Sequence, residues 1–227
     1  MATASKKITR KELRQPDWFQ VASEQVIEFV EVRKAQVISA AVVAVFFLVG
    51  IWIWQSYKEK QNIAAGQEFT KAVELFQAAK YPEAITGFEK VQGYRWSRYA
   101  GLAHLYQANI YLAMSNLDKA LNAAQRAVSA TSPNSLYRQL ALVALGSAEE
   151  RKNQCKNAID HFVEAQKIVG PLQNDATLGK ARCAEQLGDR PTVIAAYKEF
   201  LKDNPRSSLA LKLAELEAST GATVKSK

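Results

Sequence analysis

One uninterrupted apolar stretch stands out near the N-terminal end of the chain. No charged residue occurs in 35–57, and Ser39 is the only polar residue in 37–54. Eighteen helical residues at about 1.5 Å each cover about 27 Å, which is close to the thickness of a bilayer's hydrocarbon core. Trp52 and Trp54 lie at one end, where amphipathic aromatic rings prefer the headgroup level. The pattern predicts a transmembrane helix at 35–57.

This span has the features of an uncleaved signal anchor. It begins too far from the N-terminus for a secretory signal, and no small-x-small cleavage site follows it closely. The basic residues beside the span are balanced on its two sides, but the tail 1–34 as a whole contains seven Lys and Arg residues. Basic tails stay on the cytoplasmic side, whereas long C-terminal domains cross regardless of charge. We therefore expect a cytoplasmic tail and an external C-terminal domain.

The tail itself predicts an amphipathic juxtamembrane helix. Pro16-Asp17 is a helix-start signal, and apolar residues follow it at helical spacing. These are Trp18, Val21, Ala22, Val26, Phe29 and Val30. Such a helix either lies at the lipid interface or docks on a membrane partner, and the sequence leaves both alternatives open.

Beyond residue 60 one pattern of apolar and polar positions recurs four times. Each copy has a polar turn, an apolar residue, a second apolar residue four positions later and a third after three more. The triplets are Ala84/Phe88/Val91, Ala120/Ala124/Ala127, Ala158/Phe162/Ala165 and Val193/Tyr197/Phe200. Their first members lie 36, 38 and 35 residues apart. Steps of three and four define one face of a helix, and this period is typical of a helical repeat protein.

Another helix is predicted before each triplet, with a small residue about twelve positions upstream that lets the paired helices approach closely. These small residues are Ala72, Ala108, Gly146 and Ala181. The arrangement resembles the tetratricopeptide repeat (TPR) family, whose unit of about 34 residues has small residues at matching positions and a bulky aromatic in its second helix. Phe88, Phe162 and Tyr197 fit that aromatic position, whereas Ala124 departs from it.

The resemblance implies an all-α fold in which the transmembrane helix is followed by a TPR-like α-solenoid. We expect about four helix pairs over 58–219, stacked because no pair can bury its apolar face alone. A capping helix is predicted at 207–218, with Leu209, Leu213 and Leu216 turned inward, and a flexible tail at 220–227.

Composition and motifs argue against other functions. The net charge is +8, but beyond the first fourteen residues the basic residues form no dense stripe, so no nucleic-acid partner is expected. His104 and His161 are the only histidines, and no catalytic or phosphate-binding motif occurs. The run 149–152 (EERK) has the pattern of a solvated helix end. We predict no enzyme activity, no metal and no cofactor.

The two cysteines, Cys155 and Cys183, form no CxxC motif and are too few for a zinc site. In the repeat alignment Cys155 begins a second helix, and Cys183 lies near the end of the next unit's first helix. Both therefore lie on the same rim of the solenoid. The sequence leaves two alternatives, a disulfide suited to an oxidising compartment or two independent small core residues.

In TPR-like solenoids the first helices line the concave face, which carries the binding residues. The alignment assigns this role to Phe69, Val73, Phe76, Leu105, Asn109, Leu112, Val143, Ser147, Leu178 and Arg182. Only Asn109 and Arg182 fit the Lys, Asn and Arg pattern of repeats that clamp a carboxylate. The set predicts a groove that is apolar near the span and polar at the far end, suited to a hydrophobic segment. Alternatively, Phe69 and Phe76 pack against a linker helix at 58–66.

The layout as a whole also resembles the YfgM-like proteins, which are ancillary to the Sec translocon. That resemblance implies a single-pass protein of the bacterial inner membrane with its C-terminal domain in the periplasm. It also implies protein partners: translocon subunits, periplasmic chaperones or client segments. The alternative is a scaffold subunit of another cell-envelope complex, such as a secretion or division assembly.

Overall fold

A computed structural model describes residues 27, 30 and 32–225, with side chains up to residue 219. Every regular element in this described part is an α-helix. The helices are α1 (Lys34–Gln77), α2 (Tyr81–Gln92), α3 (Tyr99–Ala113), α4 (Leu117–Ser129), α5 (Leu136–Arg151), α6 (Cys155–Lys167), α7 (Gln173–Leu187), α8 (Arg190–Asp203) and α9 (Leu209–Lys225). The predicted amphipathic helix of the tail falls almost entirely outside the described residues.

The chain divides into two compact units, Met1–Tyr57 and Lys58–Lys227. In the first unit, the N-terminal part of α1 is long and apolar enough to cross a membrane, and none of the residues in its apolar stretch is buried. A helix whose large apolar side chains all face outward needs an apolar environment, because water does not solvate them favourably. This is the behaviour predicted for the span at 35–57.

The second unit is a stack of antiparallel helix pairs, which confirms the predicted all-α, TPR-like solenoid. The pairs are α1 with α2, which share one buried cluster, α3 with α4, α5 with α6 and α7 with α8, and α9 packs on the last pair. No separate linker helix exists, because 58–66 belongs to the same helix as Phe69 and Phe76. The four predicted small residues are all buried, and so are Phe88, Phe162 and Tyr197.

Each first helix ends in a left-handed residue, which turns the chain into the second helix. These residues are Ala79, Ser115, Asn153 and Gly188, with φ between 56° and 72°. A left-handed residue after the last turn lets the backbone N–H groups satisfy the final carbonyls of the helix. Their spacings are 36, 38 and 35 residues, the same periods as the apolar triplets. The turns therefore confirm the repeat boundaries independently of side-chain packing.

The aromatic of the third repeat reaches into the fourth. The ring of Phe162 in α6 lies between Gly146 of α5 and Gly179 of α7. A β-carbon would lie 2.8 Å from the ring at Gly146 and 2.5 Å from it at Gly179. Only glycine leaves room at both places, so the ring joins consecutive pairs without a gap.

The last helix, α9, covers the open end of the stack. Leu209, Leu213 and Leu216 pack against a buried cluster of α7 and α8 that includes Tyr197, as predicted for a capping helix. The helix runs to Lys225, past the end predicted at residue 218. A single glycine in this segment disfavours the helix by only about 1 kcal/mol, and no proline follows to stop it.

Candidate protein-binding surface

The first helices form the inner side of the stack. Helix α3 contacts α5, and α5 contacts α7, whereas second helices make no comparable contact with one another in the described residues. Because the first helices approach one another more closely than the second helices, the stack curves around them. Solvent-facing residues of α3, α5 and α7 therefore share one concave surface.

The predicted apolar end of this surface is filled by the protein's own side chains. Phe69, Val73 and Phe76 are half-buried in an aromatic cluster with residues of α2 and α3. The ring centroid of Phe69 lies 5.6 Å from that of Phe88 and 5.3 Å from that of Tyr106, both in edge-on geometry. Such pairs stabilise a core beyond the area that they bury. Their aromatic partners come from α2 and α3, and Ala65 of the segment 58–66 belongs to the same cluster.

Two further predicted groove residues, Leu105 and Leu112, are buried rather than exposed, so their assignment to the groove is wrong. Leu105 belongs to a core cluster with Leu145 of the next first helix and Ala124. The short side chain of Ala124 supplies little volume at the position where TPR units usually have an aromatic. Leu105 turns inward beside Ala124, and Leu112 packs in a separate cluster with Ala120 and Ala148, whereas Asn109 between them is exposed.

The polar end of the predicted surface is open. Ser147 and Arg182 line a cavity of about 420 Å³ between α5 and α7. Val143 and Leu178 are half-buried against the core and take no part in its lining. The full lining is Ser147, Glu150, Arg151, Asn153, Arg182 and Gln186. Every one of these side chains is polar, so the cavity suits the backbone and polar groups of a peptide better than an apolar anchor.

A bidentate ion pair between Glu150 of α5 and Arg182 of α7 lies at this cavity. Arg182 donates from Nε to Glu150 Oε1 at 2.7 Å and from Nη2 to Oε2 at 2.8 Å. The hydrogen bond to Glu150 raises the pKa of Arg182. The Glu150 side chain is only 13% exposed and the Arg182 side chain 52% exposed, so the guanidinium keeps a face for solvent or a ligand. Paired guanidinium and carboxylate planes hold the two helices in one register.

Residues 149–152 contact neighbouring repeats. The prediction of a solvated helix end, made from their charges, is therefore wrong. Glu149 is buried, and Arg151 Nη1 donates to the carbonyl of Leu112 at 2.8 Å, satisfying the end of α3. Lys152 forms an ion pair with Asp118. The sequence gives no sign of these contacts, because each partner comes from another helix. The charges at the end of α5 therefore fix its position between α3 and α7.

The structure brings Cys155 and Cys183 together, as predicted, and both are buried free thiols. Their side chains belong to one core cluster, and burial, followed by a hydrogen bond with Cys155, raises the pKa of Cys183. Cys155 Sγ also donates to Gln186 Oε1 at 3.0 Å. A buried thiol with a raised pKa is a poor nucleophile, since the thiolate is the reactive form. The two cysteines thus lie side by side in the core as free thiols.

The two histidines lie in different surroundings and form no joint site. His161 of α6 contacts the buried carboxylate of Glu149 at 2.7 Å, and this hydrogen bond raises the pKa of His161. His104 lines a polar cleft with Arg126, and burial, followed by the Arg126 charge, lowers its pKa. No group of three metal-ligating side chains occurs in the part of the chain that the structure describes.

These opposite shifts predict opposite pH dependences of stability. Because the pKa of folded His161 is raised, its stabilisation is complete below the unfolded value of about 6.5 and is lost as pH rises through the folded pKa. His161→Gln should therefore lower the urea midpoint more at pH ~6 than at pH ~8. His104→Gln is the matched control and should act in the opposite sense, since burial penalises protonated His104. Equal losses at both pH values for His161→Gln would contradict the assignment.

Comparison with known proteins agrees with this geometry. The tetratricopeptide repeat-like domain family matches residues 29–218, so the chain belongs to that family. No curated protein matches it. Among solved structures it is similar to PilW, a widely conserved type IV pilus biogenesis factor, with 23% identity and a TM-score of 0.57 over 70% of this chain and 71% of that chain. It is also similar to YrrB, a TPR protein with an unusual peptide-binding site, with 16% identity and a TM-score of 0.56 over 68% of this chain and 76% of that chain. At these identities the likeness concerns the fold.

Proposed function

We propose that this protein is a non-enzymatic module, anchored in a membrane by residues 35–57, that holds protein segments on its concave surface. The observation that carries the proposal is the polar cavity between α5 and α7, where Ser147, Arg182 and Gln186 face one another. Amide, hydroxyl and guanidinium groups in one groove can pair with the backbone of an extended peptide. The TPR-like fold supports this role, and peptide binding is described for YrrB on the same fold.

The partners we propose are translocon subunits, periplasmic chaperones or segments of their clients. The exposed apolar part of α1 supports a membrane location, and the basic tail 1–34 supports a cytoplasmic N-terminus with the solenoid in the periplasm of a bacterial inner membrane. Purification in mild detergent should recover subunits of the Sec translocon. If none of them is recovered, or if another envelope complex is recovered one-to-one, the proposed partner is wrong. Neither result contradicts the proposed binding module.

The binding surface has its own test. A photo-crosslinking amino acid at Ser147, in the cavity, should give discrete protein adducts in cells. The matched control is Asn157, which is exposed on the second helix α6 and should give none. Equal adducts from both positions would place the partner elsewhere.

Arg182→Ala should reduce the Ser147 adducts by about tenfold, because a guanidinium that pairs with a ligand group contributes about 1.5–3 kcal/mol. The same substitution leaves the Glu150 carboxylate, which is only 13% exposed, without this partner, so it should also lower the free energy of unfolding by about 1–3 kcal/mol. Quantifying adducts and urea midpoints of the same variant separates binding from stability. Adducts that fell only in proportion to the fraction of unfolded protein would assign Arg182 a purely structural role.

A further inference from the structure

The two rims of the solenoid differ in composition. One rim, here called the loop rim, consists of the connections between repeats, residues 93–98, 130–135, 168–172 and 204–208. The other, the turn rim, consists of the turns inside repeats, residues 78–80, 114–116, 152–154 and 188–189. The four loop-rim segments contain three arginines and no acidic residue, whereas the turn rim carries charges of both signs.

Contacts between successive connections place the loop rim on one edge of the unit. The backbone N–H of Arg98 donates to Asn62 Oδ1 at 3.1 Å, which joins the first connection to the beginning of the solenoid. Arg98, Thr131 and Tyr137 line one recess between the first and second connections. The buried amide of Gln139, in the first turn of α5 after the second connection, donates to the carbonyl of Ile168 in the third connection at 2.8 Å.

Apolar side chains project from this edge at regular intervals. Trp96, Leu136 and Tyr137 are about half-exposed, and Val169 is 90% exposed. Scattered single apolar residues are normal on a protein surface. Here they lie in or directly after the first three connections, and Arg95, Arg98 and Arg206 accompany them, all exposed. Aromatic and aliphatic side chains between arginines match the headgroup region of an anionic bilayer.

The loop rim also lies within reach of the proposed anchor. Asn62, which binds the first connection, is five residues from Tyr57, where the apolar segment ends. Even a fully extended chain spans at most about 18 Å over five residues. A membrane that holds residues 35–57 would therefore be available to the first connection of this rim at a high effective concentration.

We propose that the loop rim docks on the surface of an anionic phospholipid bilayer, with Trp96, Tyr137 and Val169 entering the headgroup region and Arg95, Arg98 and Arg206 pairing with lipid phosphates. This inference rests on the membrane anchor of the proposed function. Docking of this edge leaves the concave surface, which lies between the rims, open to a protein segment.

The test uses the full chain in nanodiscs that contain phosphatidylglycerol. An azide-bearing amino acid at Ser132 on the loop rim, coupled to the fluorophore NBD, reports on lipid contact without using the native cysteines. Met114, exposed on the turn rim, is the matched control position. Lipids with a doxyl group near the headgroup should quench the Ser132 reporter about twofold and leave the Met114 reporter unchanged, and the quenching should weaken in discs of phosphatidylcholine alone.

A double variant, Trp96→Ser with Tyr137→Ser, should bring quenching at Ser132 down to the Met114 level, because it removes the two half-exposed aromatic side chains proposed to enter the headgroup region. Equal quenching of the two reporters in the unsubstituted protein would overturn the docking and leave the anchor intact. Protection of the Ser132 reporter from water only after other membrane proteins are added would also overturn the docking, in favour of a protein partner. Failure of the chain to enter nanodiscs would overturn the anchor itself.

Discussion

Replacing Phe162 by alanine should lower the free energy of unfolding of the solenoid by about 3–5 kcal/mol, because it empties a site that is fully closed. The ring has no exposed surface and lies between Gly146 and Gly179 of two successive first helices. Helix backbones on both sides cannot collapse into the space without moving whole repeats. Urea unfolding followed by circular dichroism measures the loss, and Leu211→Ala, at a side chain that is 73% exposed, is the control that should change it little.

A methyl group added at the same site should also destabilise the solenoid. Gly179→Ala would bring a methyl group to 2.5 Å from the ring, and overpacking of this kind destabilises a core by about 1–3 kcal/mol. A smaller side chain at position 162 should make room for the added methyl group. The double variant Gly179→Ala with Phe162→Leu should therefore lose less stability than the sum of the losses in the two single variants. Strict additivity would mean that the ring and the glycine do not share this space.

The sequence predicted those parts of the fold that repeat. Burying one helix face against another requires small and bulky residues at fixed steps, so Ala84, Phe88 and Val91 identify a second helix without any knowledge of the structure. The position of Gly146 followed from the same periodicity. Gly179 did not, because it faces the aromatic of the preceding repeat and no rule within its own helix requires a glycine there.

The candidate site could be predicted only in part. Asn109 and Arg182 lie at the surface as expected, whereas Leu105 is buried, because its exposure depends on the volume of Ala124 in another helix. The pairs that fix the register between helices were missed altogether. His161 meets Glu149 twelve positions away, and no local charge pattern encodes such a pair. Polar contacts between repeats therefore need the structure, even when the repeats themselves do not.

The proposed binding surface and the proposed membrane anchor depend on different residues of the chain. The concave cavity is polar, and its ion pair between Glu150 and Arg182 belongs to the solenoid alone. The exposed apolar side chains of 37–54 contribute nothing to that core, since none of them is buried. Side chains that pack on no core add little to the stability of the repeats. Changes in one part should therefore leave the other intact, and this independence makes the anchor testable by itself.

Val45→Lys combined with Leu48→Lys should abolish stable membrane integration while the solenoid keeps its fold. The eleven Leu, Ile, Val and Phe residues of 37–54 favour insertion by about 0.3–0.6 kcal/mol each near the centre of a bilayer, together about 3–7 kcal/mol. Each lysine at the centre opposes insertion by about 2.5–3.5 kcal/mol, so two of them cancel the whole apolar contribution. Carbonate extraction of cell membranes should leave the unsubstituted chain in the pellet and release the variant.

The matched control for this pair places the same two charges outside the span, with Leu187→Lys and Leu211→Lys at exposed positions of α7 and α9. That variant should stay in the pellet, because the added charges never enter the bilayer. Release of the unsubstituted chain by carbonate would contradict an integral anchor. Retention of the Val45 and Leu48 variant would mean that another part of the chain holds it at the membrane, for which the loop rim, with Trp96 and Tyr137, is the first surface to substitute next. Release by the Val45 and Leu48 substitutions alone thus assigns membrane attachment to the span, whereas release only after further substitution of the loop rim assigns part of it to the rim.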